Sequence, residues 1–265
     1  MLTVFRNSSP SSLPESSLQP GEAQLRWLRG TRQLDIMAPA LRNKVASLTQ
    51  KLATDREKAV ALHDFVKGLP FGCMPDYSVL TASRVLKLGQ GDCFAKGLLM
   101  VGMLRAAKIP ARLHFFSLPS QFLRGILDLE DASIMHAMTE VQINGCWLMT
   151  DSYVPDTWLQ AGAKRKLLAE GQSRGYGIHL QGARVWDGRS DASAQCSEAD
   201  AASLPLADWG LADDPESFFA DESHSELRRN FASRLKWRLA TPLVNKRVAA
   251  IRASAARRSS APPKA

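Results

Sequence analysis

Gly91-Asp92-Cys93-Phe94-Ala95-Lys96-Gly97-Leu98-Leu99-Met100-Val101-Gly102-Met103-Leu104-Arg105-Ala106-Ala107-Lys108-Ile109-Pro110-Ala111-Arg112 decides how the chain is read, because a cysteine stands where a glycine turn meets an apolar helix. Apolar residues occupy nearly every side of that helix, through Leu98, Leu99, Met100, Val101, Met103 and Leu104. A helix of this kind is central and buried. Pro110 stops it, and Arg112 to Phe116 begins a sheet, so helices come first and antiparallel strands follow. Cys93 falls on the first helical turn, beside exposed N–H groups and the positive end of the helix dipole, which favour a thiolate. A cysteine nucleophile also needs a base and a group to orient that base.

Both are supplied by the segment from Met135 to Tyr153, where Asn144-Gly145 separates two alternating apolar runs and predicts a two-residue type I′ hairpin. With Ile143 opposite Cys146, the register pairs Gln142 with Trp147, Glu140 with Met149, Met138 with Asp151, and His136 with Tyr153. His136 and Asp151 then share a face in the diagonal relation, with backbones about 7–8 Å apart, and the carboxylate can reach the imidazole. Carboxylate to imidazole to thiolate is the logic of a nucleophilic triad. Glu140 lies on the same face and would replace Asp151 if a bulge shifted the register. Whether Cys93 approaches His136 is a matter for the tertiary fold.

These residues resemble the transglutaminase-like superfamily of papain-like thiol enzymes. The resemblance runs from about Leu34 to Asp151. It rests on Gly91-Asp92-Cys93 before an apolar helix, the ending Leu104-Arg105-Ala106 with Ile109-Pro110-Ala111-Arg112, the strand-opening His136 and the strand-closing Asp151. Lys108 departs from the family, which usually has glycine before Ile-Pro, and Met138 stands where an aromatic commonly follows the histidine by two. The resemblance implies an α+β fold with a papain-like, transglutaminase-like core, the nucleophile at the start of a central helix packed on an antiparallel sheet. It places the catalytic cysteine, histidine and aspartate on Cys93, His136 and Asp151. The implied chemistry is acyl transfer on a peptide, protein or amide substrate, with backbone N–H groups at the helix start as oxyanion donors. Hydrolysis leads, the alternatives being a protein-glutamine transglutaminase and a non-catalytic protein-binding module. No cofactor or metal is called for.

The organisation expected is a disordered leader over 1–26, rich in Ser and Pro, a transglutaminase-like domain over 27–203, and a basic, partly helical extension over 204–265. A hydrophobic fraction of 45% is ordinary for a packed core. No apolar run reaches the roughly 18 residues of a membrane span, and no apolar stretch behind Arg6 reads as a secretory signal. Cys73, Cys93, Cys146 and Cys196 show no Cys-x-x-Cys spacing, which points to a reduced, cytoplasmic protein. His63, His114, His179 and His224 read as structural or exposed. Cys146, Trp147, Tyr153 and Trp158 read as core.

Helices are predicted over Pro39 to Leu52, from a Thr54-x-x-Glu57 capping box to Gly68, over Val79 to Leu88, and over Asp156 to Glu170. Ser173 to Ser203 is rich in Gly, Ser and Asp, with one short strand near Ile178 to Leu180 or Ala183 to Trp186. From Leu227 onward there are eleven Lys or Arg and no acidic residue, more than the net +8 of the whole chain, so the remainder is net acidic. Leu227, Phe231, Leu235 and Leu239 recur at a spacing of four and predict a basic amphipathic helix, ending before Pro242, with that row buried against the core. A weaker stripe follows at Val244, Val248 and Ile251. The other readings of this tail are a solvated end and a surface for an anionic partner, membrane or nucleic acid.

Overall fold

The structure, a computed structural model, describes residues 25–128, 132–227 and 231–259, so nearly all of the expected leader lies outside the described residues. Helix α1, Pro39–Thr49, starts on its proline, and α2, Asp55–Gly68, opens with the expected box, in which Thr54 and Glu57 satisfy each other's backbone N–H. Helix α3, Ala82–Leu88, is capped by Thr81 and closed by Gly89 in the left-handed conformation. These three surround α4, Cys93–Ala106, in which every residue from Phe94 to Arg105 is buried. Two of those residues, Lys96 and Arg105, have basic side chains. The Arg105 guanidinium reaches the carbonyls of Ala111 and Arg29 and the carboxylate of Asp213. Lys96 donates to the carbonyls of Leu69 and Val154 at 2.9 and 3.0 Å, and burial holds its pKa well below the usual lysine range.

Lys108 stands at a backbone position that favours glycine. After α4 the Ile109 N–H reaches back to the Leu104 carbonyl, a closure that needs the intervening residue in the left-handed region, and Lys108 sits there at φ 66°. Glycine takes that conformation without a Cβ penalty, whereas lysine carries a cost of about 1–2 kcal/mol.

Strands β1 (Ala111–Pro119), β2 (Ser133–Ile143) and β3 (Cys146–Thr150) form an antiparallel sheet, completed on the far edge of β1 by a later strand, Ala207–Ala212. One side of this sheet packs Leu113, Phe115, Ala137 and Val141 with the α4 core. The other carries Phe116, Leu118, Met138 and Met149 under Phe122 and Cys196. Asn144 and Gly145 both have positive φ, as a type I′ turn requires, and the ladder runs Ile143–Cys146, Gln142–Trp147 and Glu140–Met149 in the expected register. It ends at Thr139–Thr150, three pairs short of the expected His136–Tyr153. A turn closed by the Val154 N–H on the Asp151 carbonyl bends the chain away, so the expected pairs Met138–Asp151 and His136–Tyr153 are not made.

Helix α5, Thr157–Glu170, follows, capped by Asp156, and then a two-stranded ribbon of β4 (Arg174–Gly175) and β5 (Ile178–His179). The Ala207–Ala212 strand is β6, and α6 (Pro215–Ala220) and α7 (Phe231–Ser259) complete the chain. The 204–265 segment thus supplies both an edge strand and a long helix.

Helix α7 corrects the expectation for the tail. It continues through Pro242, and its buried row is the weaker stripe, Val244, Val248 and Ile251, packed in one cluster with Leu159, Ala163 and Leu167 of α5, with Ala255 also buried. Leu235 and Leu239 are exposed instead. Proline costs a helix its i→i−4 bond, but here Pro242 and Arg238, whose carbonyl loses its partner, face water, while Thr241 bonds the Trp237 carbonyl on the docked side. Packing therefore outweighs a local stop signal. Two smaller expectations also fail: Cys146, at the hairpin tip, is exposed, and Trp158, on the first turn of α5, is 47% exposed rather than core.

Candidate active site

The N-terminus of α4 is held by Asp92, whose carboxylate accepts the Ala95 N–H as helix cap and also the Met74 N–H at 2.8 Å and the Tyr77 hydroxyl at 2.7 Å. One side chain thereby fixes both the helix start and the strand of chain that passes in front of it. Cys93 is half-buried and opens into a cleft whose walls include Phe122, Ile126, Met135, His136, Val154 and Trp237. The lining is mostly apolar.

His136 enters the cleft from β2 and is 2% exposed. Its Nε2 lies 2.8 Å from Asp151 Oδ2, which leaves Nδ1 as the ring nitrogen available to the thiol. Burial on its own would depress the imidazole. The charge of Cys93, the hydrogen bonds to Asp151 and Cys93, and the charge of Asp151 outweigh it and raise the pKa to about 10. The imidazole is thus held as a cation between a sulfur and a carboxylate. Cys93, His136 and Asp151, singled out from local pattern, meet in one place.

Asp151 is fully buried, and a segment that the sequence left without assignment surrounds it. Its Oδ1 accepts the Ala194 N–H at 2.7 Å, its Oδ2 the Ser193 hydroxyl at 3.3 Å, and the Gln195 amide lies against both oxygens with its NH2 turned towards them. The backbone joins in: Ala192 bridges Thr150, and the Asp151 N–H donates to the Ala192 carbonyl. Ser193, Ala194 and Gln195 are functional-site residues that no periodicity marks. Their only trace in the sequence is the excess of Ser, Asp and Gly between Ser173 and Ser203.

The chain after Asp151 is tied down by buried basic side chains. Lys67, lowered to about 8 by burial, donates to the Ser152 carbonyl at 2.6 Å, and Lys96 to that of Val154. Asp156 takes the Phe71 N–H at 2.9 Å and a two-pronged contact from Arg252 of α7 at 2.8 and 2.7 Å. These bonds set the wall on which Val154 and Pro155 face the cleft.

The remaining candidates are placed elsewhere. Glu140 does not meet His136; Arg112 at 2.7 Å and His114 at 2.9 Å hold it, and despite burial they lower its pKa to about 2. His114 also contacts Asp208 of β6. Cys196 lies near Asp151, where burial first and the carboxylate's charge second push its thiol up to about 12, so it stays protonated. Cys73 is buried beside Thr241. Tyr153 is core, bonded to Thr139, whereas Trp147 stacks under Arg112. Among the described residues, no group of three His, Cys, Asp or Glu is arranged to hold a metal ion, and no helix is long and apolar enough to cross a membrane.

The model of the transglutaminase-like superfamily matches residues 42–152. No curated protein matches the chain. Among solved structures, one similar chain is a candidate cysteine protease from Cytophaga hutchinsonii, with 19% identity, a TM-score of 0.39, and coverage of 52% of this chain and 44% of that one. Another is a candidate protease from Parabacteroides distasonis, with 22% identity, a TM-score of 0.35, and coverage of 49% and 26%. The protein spans less than half the length of either. The segment that matches this superfamily's model contains Cys93 and His136 and ends one residue after Asp151.

Proposed function

We propose that the protein is a cysteine-dependent hydrolase of peptide or amide bonds, with Cys93 as nucleophile, His136 as proton carrier and Asp151 as the group that orients it. One observation carries this reading: a buried imidazole shared between the Asp151 carboxylate at 2.8 Å and the Cys93 thiol, facing one cleft. The Cys93 thiolate adds to the substrate carbonyl, and the oxygen that gains charge is stabilised by N–H groups at the start of α4. The His136 imidazolium gives its proton to the departing amine, leaving an acyl-enzyme and a neutral imidazole. That imidazole then takes a proton from water, which displaces the sulfur and restores the thiolate and imidazolium. Asp151 keeps the proton of Nε2 throughout, so that Nδ1 faces the reacting atoms.

The apolar walls favour a substrate with a bulky hydrocarbon side chain near the scissile carbonyl. Residues 27–203 carry the chemistry in this reading, and 204–265 complete the cleft through Trp237. Four free thiols suit the reducing cytoplasm as the place of action.

Intact-mass labelling with a thiol alkylator across pH, followed by peptide mapping, tests the proposal. Cys93 is expected to react fastest at neutral pH, ahead of the exposed Cys146 and the buried Cys73 and Cys196, and Cys93→Ala to abolish turnover while melting like the parent. Labelling of Cys93 no faster than Cys146, in folded protein, would leave a binding module as the reading. Incorporation of an added primary amine into the acyl product in preference to water would make it a transglutaminase.

A further inference from the structure

Helix α7 has two apolar faces, and the core uses one. Val244, Val248, Ile251 and Ala255 are buried, and Trp237 on the same side lines the cleft. On the opposite side Leu235, Leu239 and Leu243 recur every four residues and are 48%, 73% and 54% exposed. At about 100° per residue these leucines form one continuous row, centred roughly opposite the buried one. By helical position Arg238 flanks the row on one side and Lys246 stands in line beyond Leu243, while Arg247, on the other side, reaches back to the Ile126 carbonyl at 3.1 Å and lies 3.6 Å from Asp128. From Leu227 onward the chain has eleven basic residues and no acidic one, and of these Arg252 is paired with Asp156 and Arg247 lies near Asp128.

We infer that this outer face binds the surface of an anionic lipid bilayer, leucines inserted among the acyl chains and the basic residues against the headgroups. An aliphatic row between cationic flanks, on a helix held firmly by its other side, is the pattern of an interfacial helix. A second copy of the chain fits poorly, because a two-fold contact would bring the same basic residues, Arg238 and Lys246 among them, together. A nucleic acid offers phosphates to the flanks but nothing to the exposed leucines. The bilayer would lie behind the cleft wall, with Trp237 and Val244 on the inner side of the same helix, so binding leaves Cys93 open.

Co-sedimentation of the full chain with vesicles tests the inference. Vesicles of phosphatidylcholine mixed with phosphatidylglycerol are expected to bind the protein, and vesicles of phosphatidylcholine alone to bind it weakly. Leu239→Glu should lower the partition onto the mixed vesicles by about tenfold or more, with an unchanged melting temperature because the site is exposed. Lys246→Glu should weaken binding and flatten its dependence on salt. Absence of binding to the mixed vesicles overturns the inference, as does binding that Leu239→Glu leaves intact. Self-association in place of vesicle binding, abolished by Leu239→Glu, would assign the row to a second copy. Salt-sensitive binding to an oligonucleotide in place of vesicles, unaffected by Leu239→Glu, would assign the charge to nucleic acid.

Discussion

Asp156→Ala should loosen three elements at once, because this 3%-exposed carboxylate joins α5, α7 and the chain in front of α4. One oxygen caps α5 through the N–H groups of Trp158 and Leu159, and the other accepts from Phe71 and from two nitrogens of Arg252. An N-cap contributes about 1 kcal/mol, and bonds to a charged group about 1.5–3 kcal/mol. Together the loss is about 3–4 kcal/mol, with a further penalty because Arg252 loses its paired negative charge. For a chain of this size that lowers the melting temperature by about 10 °C, which differential scanning calorimetry reads directly. The pKa of Asp156 is depressed, most of all by Arg252 acting against burial, so its stabilisation is present above the ordinary carboxylate value of 3.8 and is lost as pH falls below it. The variant should therefore lose part of the parent's acid-side decline in stability. A variant melting within about 1 °C of the parent at neutral pH would refute the view that this carboxylate ties α7 to the core.

Asp151→Asn should keep the fold, since Ala194, Ser193 and Thr150 retain most of their contacts, but lower turnover by at least about 100-fold through a misoriented imidazole; steady-state kinetics with an equal melting temperature is the check. Because the pKa of His136 is raised from 6.5 to about 10, its charged form stabilises the fold fully below about 6.5, and that contribution declines as pH rises through about 10. His136→Gln should remove this alkaline component from a profile of melting temperature against pH, and a profile that keeps it would place the titration elsewhere. Lys108→Gly should raise stability by about 1 kcal/mol by relieving the left-handed residue after α4, and a lower melting temperature would count against strain at that position.

The elements legible in the sequence are those encoded within a few residues. A capping box at Thr54, a glycine after Leu88, an apolar run bounded by Asp92 and Pro110, and an Asn-Gly turn each act through neighbours along the chain. The hairpin register then follows from the turn as far as Thr139–Thr150, whereas Asp151 reaches His136 from the bend that follows the ladder. The approach of Cys93 to His136 is different, since it depends on where the start of α4 lands against the sheet, and the resemblance to a family anticipated it where spacing alone did not. Asp151 is buried by Ser193, Ala194 and Gln195, some forty residues later, in a loop without period or propensity, so only the tertiary structure shows them as its partners. Helix α7 makes the same point in reverse. Its local pattern names Leu235 and Leu239 as the buried row and Pro242 as the end, but α5 offers its surface to Val244, Val248 and Ile251, and the free energy of that contact carries the helix past the proline. Short-range signals prescribe which segments become helix or strand, whereas the choice of face, partner and neighbour is made by burial among residues far apart in the chain.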